Sequence, residues 1–155
     1  MELSEINEKV HKAIALFYQE DSFLIENGLC ERCLIHRLAI SLEKQRFEGY
    51  FVDCEYNKSH LNKKTIRKEV SNPKGNYIDI VLTKRDADYK DDLTCFEVKK
   101  STNYQGRKKD RDKLKILTNG KKFGFYIILS NKKEKTKIEL YQRGNFIQVY
   151  SFKED

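Results

Sequence analysis

No apolar run in this 155-residue chain approaches the ~20 residues that a membrane span requires. The chain opens without a basic stretch leading into an apolar segment and a small-residue cleavage site, so no secretory signal is expected. Cysteine is sparse. The four thiols (Cys30, Cys33, Cys54 and Cys95) do not make a disulfide framework at this length, and a reduced, cytoplasmic setting is expected. There is one proline, no repeat, no low-complexity segment and no linker, so a single domain over residues 1–155 is expected. What the chain has instead is charge. Charged residues make up 35% and hydrophobic ones 39%, and apolar segments recur along the whole length, which argues against disorder. Lys and Arg (31) outnumber Asp and Glu (24), and the resulting +7 favours a polyanionic partner, nucleic acid first.

Residues 4–18 place Ile6, Val10, Ile14 and Phe17 on one helical stripe behind Ser4 as N-cap, in an N-terminal helix assigned to 1–20. Gly28 breaks the pattern. Residues 31–46 predict a second helix, with Ile35, Leu38 and Leu42 on one face and Leu34 and Ala39 beside them. Residues 49–57 alternate as a strand, and 59–76 are a polar, basic connection closed by the proline. Two apolar strands follow at 77–84 and 93–100, joined by a charged loop. A basic helix at 107–118 stops at Asn119-Gly120, and 123–130 is another buried strand. "KTKIELYQ" and "NFIQVYSF" predict a hairpin about "RGN" at 135–152. The order predicts an α/β fold: a mixed sheet flanked by helices, with the hairpin at its end.

The strand at 93–100 contains "FEVKK". Alternation puts Glu97 and Lys99 on one face and Phe96 and Val98 on the other. The preceding strand holds one acid, Asp79, among Ile78, Ile80, Val81 and Leu82. If the two strands are neighbours, Asp79 and Glu97 converge at one end of the sheet. Two carboxylates with an open side suit Mg²⁺, or Mn²⁺ in its place, because a hard cation uses one or two carboxylates plus waters and phosphate. A lysine beside them can orient the attacking water, help deprotonate it and offset phosphate charge. The plain alternative is an exposed ion pair worth at most ~1 kcal/mol. Glu-x-Lys is common by itself; the embedded acid before it and the basic helix after it favour the site.

"IDIVL" followed by "CFEVKK" resembles the PD-(D/E)XK signature of the restriction-endonuclease-like nuclease superfamily, and the element order resembles that core over residues 31–130. More narrowly, "ERCLIHRLAISLEKQ", "VDCEYN", "IDIVL" and "FEVKK" resemble a group of bacterial and mobile-element proteins of that superfamily. Ile78 stands where the signature has proline, a departure the superfamily tolerates because the acid holds the metal. The resemblance implies a Mg²⁺-dependent nuclease hydrolysing phosphodiester bonds, of DNA before RNA. Asp79 and Glu97 would be metal ligands, the Val98 carbonyl a third, and Lys99 the catalytic lysine. The family often adds a glutamate from the first core helix. Independently of it, Glu31 precedes Ile35, Leu38 and Leu42 along the buried stripe. Either its charge complements the helix dipole or its side chain is aimed at the site.

His36, in the narrower "HRLA" resemblance, is either structural or a phosphate or proton-transfer contact. Glu55 shares a strand face with Asp53, either as a solvated edge pair or as a member of the acidic cluster; Glu43 lies off the stripe and is expected in solvent. Lys100, Arg107, Lys108, Lys109, Arg111 and Lys113 are candidate phosphate contacts, with Tyr104 able to stack on a base. The alternative there is a solvated helix face balanced by Asp110 and Asp112. "CERC" is a candidate for zinc or redox chemistry, but with His36 it is too compressed for the usual zinc spacing, and buried core thiols are the expectation for the cysteines. The small size leaves room for a homodimer or a larger complex. The alternatives to a nuclease are a nucleic-acid-binding module that keeps the fold without cutting, and a mobile-element protein with a protein partner.

Overall fold

The computed structural model describes residues 1–56, 77–85, 93–119 and 123–152, the side chains of Glu55 and Tyr56 aside. The expected connection at 59–76 and most of the charged loop before Leu93 lie outside the described residues. The elements are α1 (Leu3–Glu26), α2 (Glu31–Glu43), β1 (Phe51–Tyr56), β2 (Ile78–Thr83), β3 (Thr94–Lys100), α3 (Arg107–Leu117), β4 (Phe123–Leu129), a 3-10 turn (Lys133–Lys135), β5 (Lys137–Gln142) and β6 (Asn145–Ser151). The strands form one six-stranded sheet in sequence order. Only the β3–β4 pair is parallel. A parallel pair needs a crossover, and α3 is that crossover. The fold is therefore α/β with a mixed open sheet, and no described helix is long and apolar enough to cross a membrane.

Strand alternation sorts the core onto two faces. Ile80, Leu82, Phe96, Val98, Phe125 and Ile127 pack with Ile6, Val10, Ile14 and Phe17 of α1 and Leu34, Leu38 and Leu42 of α2. Val81, Cys95, Tyr126, Ile128 and Tyr141 pack on the other face with Leu114 and Leu117 of α3. Gly124 lets α3 sit close to β4. A Cβ there would lie 2.7 Å from Thr118 Cγ2, and Thr118 cannot turn aside without losing its 2.8 Å hydrogen bond to the Leu114 carbonyl. Gly124→Ala is expected to cost about 1–3 kcal/mol of stability in a denaturant titration.

Helix α1 runs a further two turns past the expected 4–18, and its N-cap is Glu2 rather than Ser4. The polar segment after Tyr18 stays helical because it meets α2: Asp21 accepts from Arg37 Nε at 2.8 Å, and Lys44 pairs with Glu20. The helix ends as Gly28 implies. With φ +69°, Gly28 donates to Ile25 O, and Leu29 donates to Leu24 O, a Schellman closure. Helix α2 stops at Glu43 rather than 46. The hairpin turn is Arg143-Gly144, both at positive φ, which matches the twist of β5 and β6.

Candidate active site

Strands β2 and β3 pair at Leu82–Thr94, Val81–Cys95 and Ile80–Phe96, where their ladder ends. Beyond that point β2 follows β1 to Ile78–Tyr56, and β3 follows β4 to Lys100–Leu129. The sheet forks. At the fork the Val98 N–H is accepted at 2.8 Å by Asp79 Oδ2 instead of a β2 carbonyl. A strand residue's N–H and C=O point to the same edge, so the Val98 carbonyl also looks into the fork. Phe96 and Val98 are buried in the α1–α2 core, while Glu97 and Lys99 face α3.

Helix α3 contributes two side chains that the sequence reading had set in solvent or on phosphate. Lys113 Nζ lies 2.7 Å from Glu97 Oε1 and donates to the Tyr77 carbonyl at 2.8 Å. Asp110 Oδ2 is 3.3 Å from Lys99 Nζ. From the opposite side, Glu31 in the first turn of α2 accepts from Lys99 Nζ, the Lys100 N–H and Asn103 Nδ2, each at 3.1 Å. Glu31 is thus aimed at the site and ties α2 to β3. Glu31, Asp79, Glu97, Lys99, Asp110 and Lys113 line a cleft of about 780 Å³, together with Arg32, Ile35, His36, Cys54 and Tyr77. The signal for α3 was present in the sequence: residues 110, 113, 114 and 117 share one helical face, and Leu114 and Leu117 mark it as the buried one.

Burial pushes the Glu97 carboxyl well above the usual carboxylate range, Asp79 and Asp110 add to this, and Lys113 offsets it only in part. Burial raises Asp79 as well, against the Val98 N–H and the two lysines. Burial draws the Lys99 ammonium down, but Asp110 and Glu31 outweigh it and the net shift is upward. The site therefore holds reluctant carboxylates beside a firmly protonated lysine. Glu97 Oε1 is fully buried against the Lys113 ammonium. Among the described residues no three His, Cys, Asp or Glu side chains form a metal cage. The fork offers two carboxylates and a carbonyl beside an open cleft, a donor set of the kind Mg²⁺ uses.

A raised folded pKa means that Asp79 favours the fold at low pH, and that this contribution is lost as pH climbs from the unfolded value near ~4 through the folded one. Asp79→Asn removes the titration and keeps an acceptor for the Val98 N–H. Its melting temperature should match wild type near pH 4 and exceed it increasingly towards pH 7, measured in EDTA.

Other expected contacts are placed elsewhere. Arg111 clamps Glu139, with Nη2 at 2.6 Å from Oε1, and lies over the Tyr126 ring. Arg107 donates to the carbonyls of Asn103, Lys100 and Ser101 and lies over Tyr104. Lys100 Nζ donates to the Gly28 carbonyl. Lys108 is exposed and Lys109 half-buried, while Lys113 is buried and paired with Glu97 rather than presented to solvent. His36 and Glu43 are exposed, and the Glu55 side chain lies outside the described residues. Asp53 is held by Arg85. Of the cysteines only Cys95 is a core thiol; Cys30 and Cys54 are exposed and Cys33 is half-buried. Cys54 escapes the core because β1 is an edge strand bordering the cleft. Comparison with family models, curated proteins and solved structures found no match to this chain.

Proposed function

We propose that the chain is a metal-dependent nuclease with a restriction-endonuclease-like, PD-(D/E)XK core, hydrolysing phosphodiester bonds of nucleic acid, DNA before RNA. The observation that carries this reading is the fork, where Asp79 reaches the β3 backbone at Val98 beside the buried Glu97. Asp79, Glu97 and the Val98 carbonyl would hold Mg²⁺ or Mn²⁺, with Glu31 positioning Lys99. When bound, the ion would polarise the phosphate and lower the pKa of a water. Lys99, kept protonated between Asp110 and Glu31, acts as a donor that offsets charge on the phosphate oxygens and not as the base. Lys108, Lys109 and Tyr104 would meet the strand outside the cleft.

Purified protein is expected to cut DNA only with Mg²⁺ or Mn²⁺ and to stop in EDTA. Asp79→Ala and Glu97→Ala should abolish cleavage. Cleavage that survives in both, and in Lys99→Ala, would sink the assignment. One observation favours a second reading, a nucleic-acid-binding module that does not cut: the Lys113 ammonium already stands against Glu97. Salt-sensitive DNA binding without any metal-induced rise in melting temperature would support that reading.

A further inference from the structure

Cys30 and Cys33 are left unexplained by the cleft chemistry. Cys30 is the N-cap residue of α2, a helix of 13 residues, and Cys33 lies in its first turn. Their sulfurs are 2.9 Å apart, Cys30 is exposed, and no disulfide joins them. Metal binding is a poor account, since structural zinc takes four ligands and no third His, Cys, Asp or Glu gathers here among the described residues.

We propose that Cys30 and Cys33 form a thiol–disulfide exchange site that reacts with small-molecule disulfides and closes to an intramolecular disulfide across the first turn of α2. A disulfide needs sulfurs about 2.05 Å apart, so the pair closes with a movement of under about 1 Å. Exposure makes Cys30 the attacking thiol. Its hydrogen bond with the Cys33 thiol, and then the Cys33 N–H, draw it below the ordinary thiol value; burial opposes, and Lys100 adds to the lowering. The same contact pushes Cys33 up, as suits a resolving thiol. The Cys30 thiolate attacks one sulfur of R–S–S–R, forming a mixed disulfide and expelling one thiolate. Cys33 then loses its proton to solvent and attacks the Cys30 sulfur, forming the Cys30–Cys33 bond and expelling the second thiolate. The protein gives up two electrons and two protons, and the small disulfide becomes two thiols. This chemistry needs neither the metal nor Lys99, so it stands apart from the nuclease reading.

The test is exchange of the full chain with glutathione disulfide, followed by acid quench and mass spectrometry. Wild type should lose two hydrogens at Cys30 and Cys33 and retain no glutathione on either. Cys33→Ser should trap one glutathione on Cys30, and Cys30→Ser should react about tenfold more slowly or less. Melting curves of both variants check that the fold persists. A wild type that stays reduced at Cys30 and Cys33, one that retains glutathione on Cys30, or a Cys33→Ser variant modified at Cys54 as fast as at Cys30 would overturn the proposal.

Discussion

Replacing Lys113 with methionine is expected to make the stability of this protein depend more steeply on a divalent cation than in wild type. The Lys113 side chain is 5% exposed and the Glu97 side chain 2%, so the pair is largely withdrawn from water although it borders the cleft. Methionine keeps the apolar stem and deletes the charge. The carboxylate is then buried without a counter-ion, a change that costs about 3–5 kcal/mol. For a chain of this size that lowers the melting temperature on the order of 10 °C in EDTA at neutral pH. Two things should relieve the loss. Acid relieves it by protonating Glu97, whose carboxyl already sits well above the usual range. Mn²⁺ would relieve it if the ion took the place of the ammonium beside Glu97. A Lys113→Met/Glu97→Gln double variant should recover stability in EDTA and no longer respond to metal. A single variant that melts like wild type would show that Lys113 is not the counter-ion. One that loses stability without metal rescue would show that the fork does not accept a cation.

The convergence of Asp79 and Glu97 was legible because it needs only strand alternation and the adjacency of two consecutive apolar strands. Glu31 was half legible. Its place on the stripe of Ile35, Leu38 and Leu42 gave the direction of its side chain, but the tie to Lys99 and the Lys100 N–H depends on where α2 lands on the sheet. Helix α3 was misread because alternating charges look solvated unless the helix is rotated about its few leucines. Once Leu114 and Leu117 face the sheet, Asp110 and Lys113 must enter the fork with them. Arg111 then falls against Glu139 of β5, a partner far away in the chain. Cys54 failed for a different reason: thiol hydrophobicity does not say which strands are at an edge, and Cys54 lies on one that is.

With two lysines in the cleft, the role of each must be separable, and their contacts separate them. Lys99 touches Asp110 and Glu31, whereas Lys113 touches Glu97. If Lys99 stabilises charge on the phosphate, Lys99→Met should lower kcat by two to three orders of magnitude and leave the metal-induced melting shift intact. Lys99→Arg tells donor from base. A guanidinium remains charged throughout the working range, so a donor role survives the substitution in part, while a base role is lost as fully as in Lys99→Met. The pH profile adds an independent check. Burial raises Asp79 and raises Glu97 well above the ordinary carboxylate range, so a metal ion bound by them would displace protons, and cleavage would rise with pH as the two carboxyls deprotonate. Lys99 is shifted upward, so no loss of its charge should cut the rate until pH passes the ordinary lysine range near ~10.4. A Lys99→Arg enzyme as inactive as Lys99→Met, together with a wild-type rate that climbs on deprotonation of an ammonium, would instead make Lys99 the base.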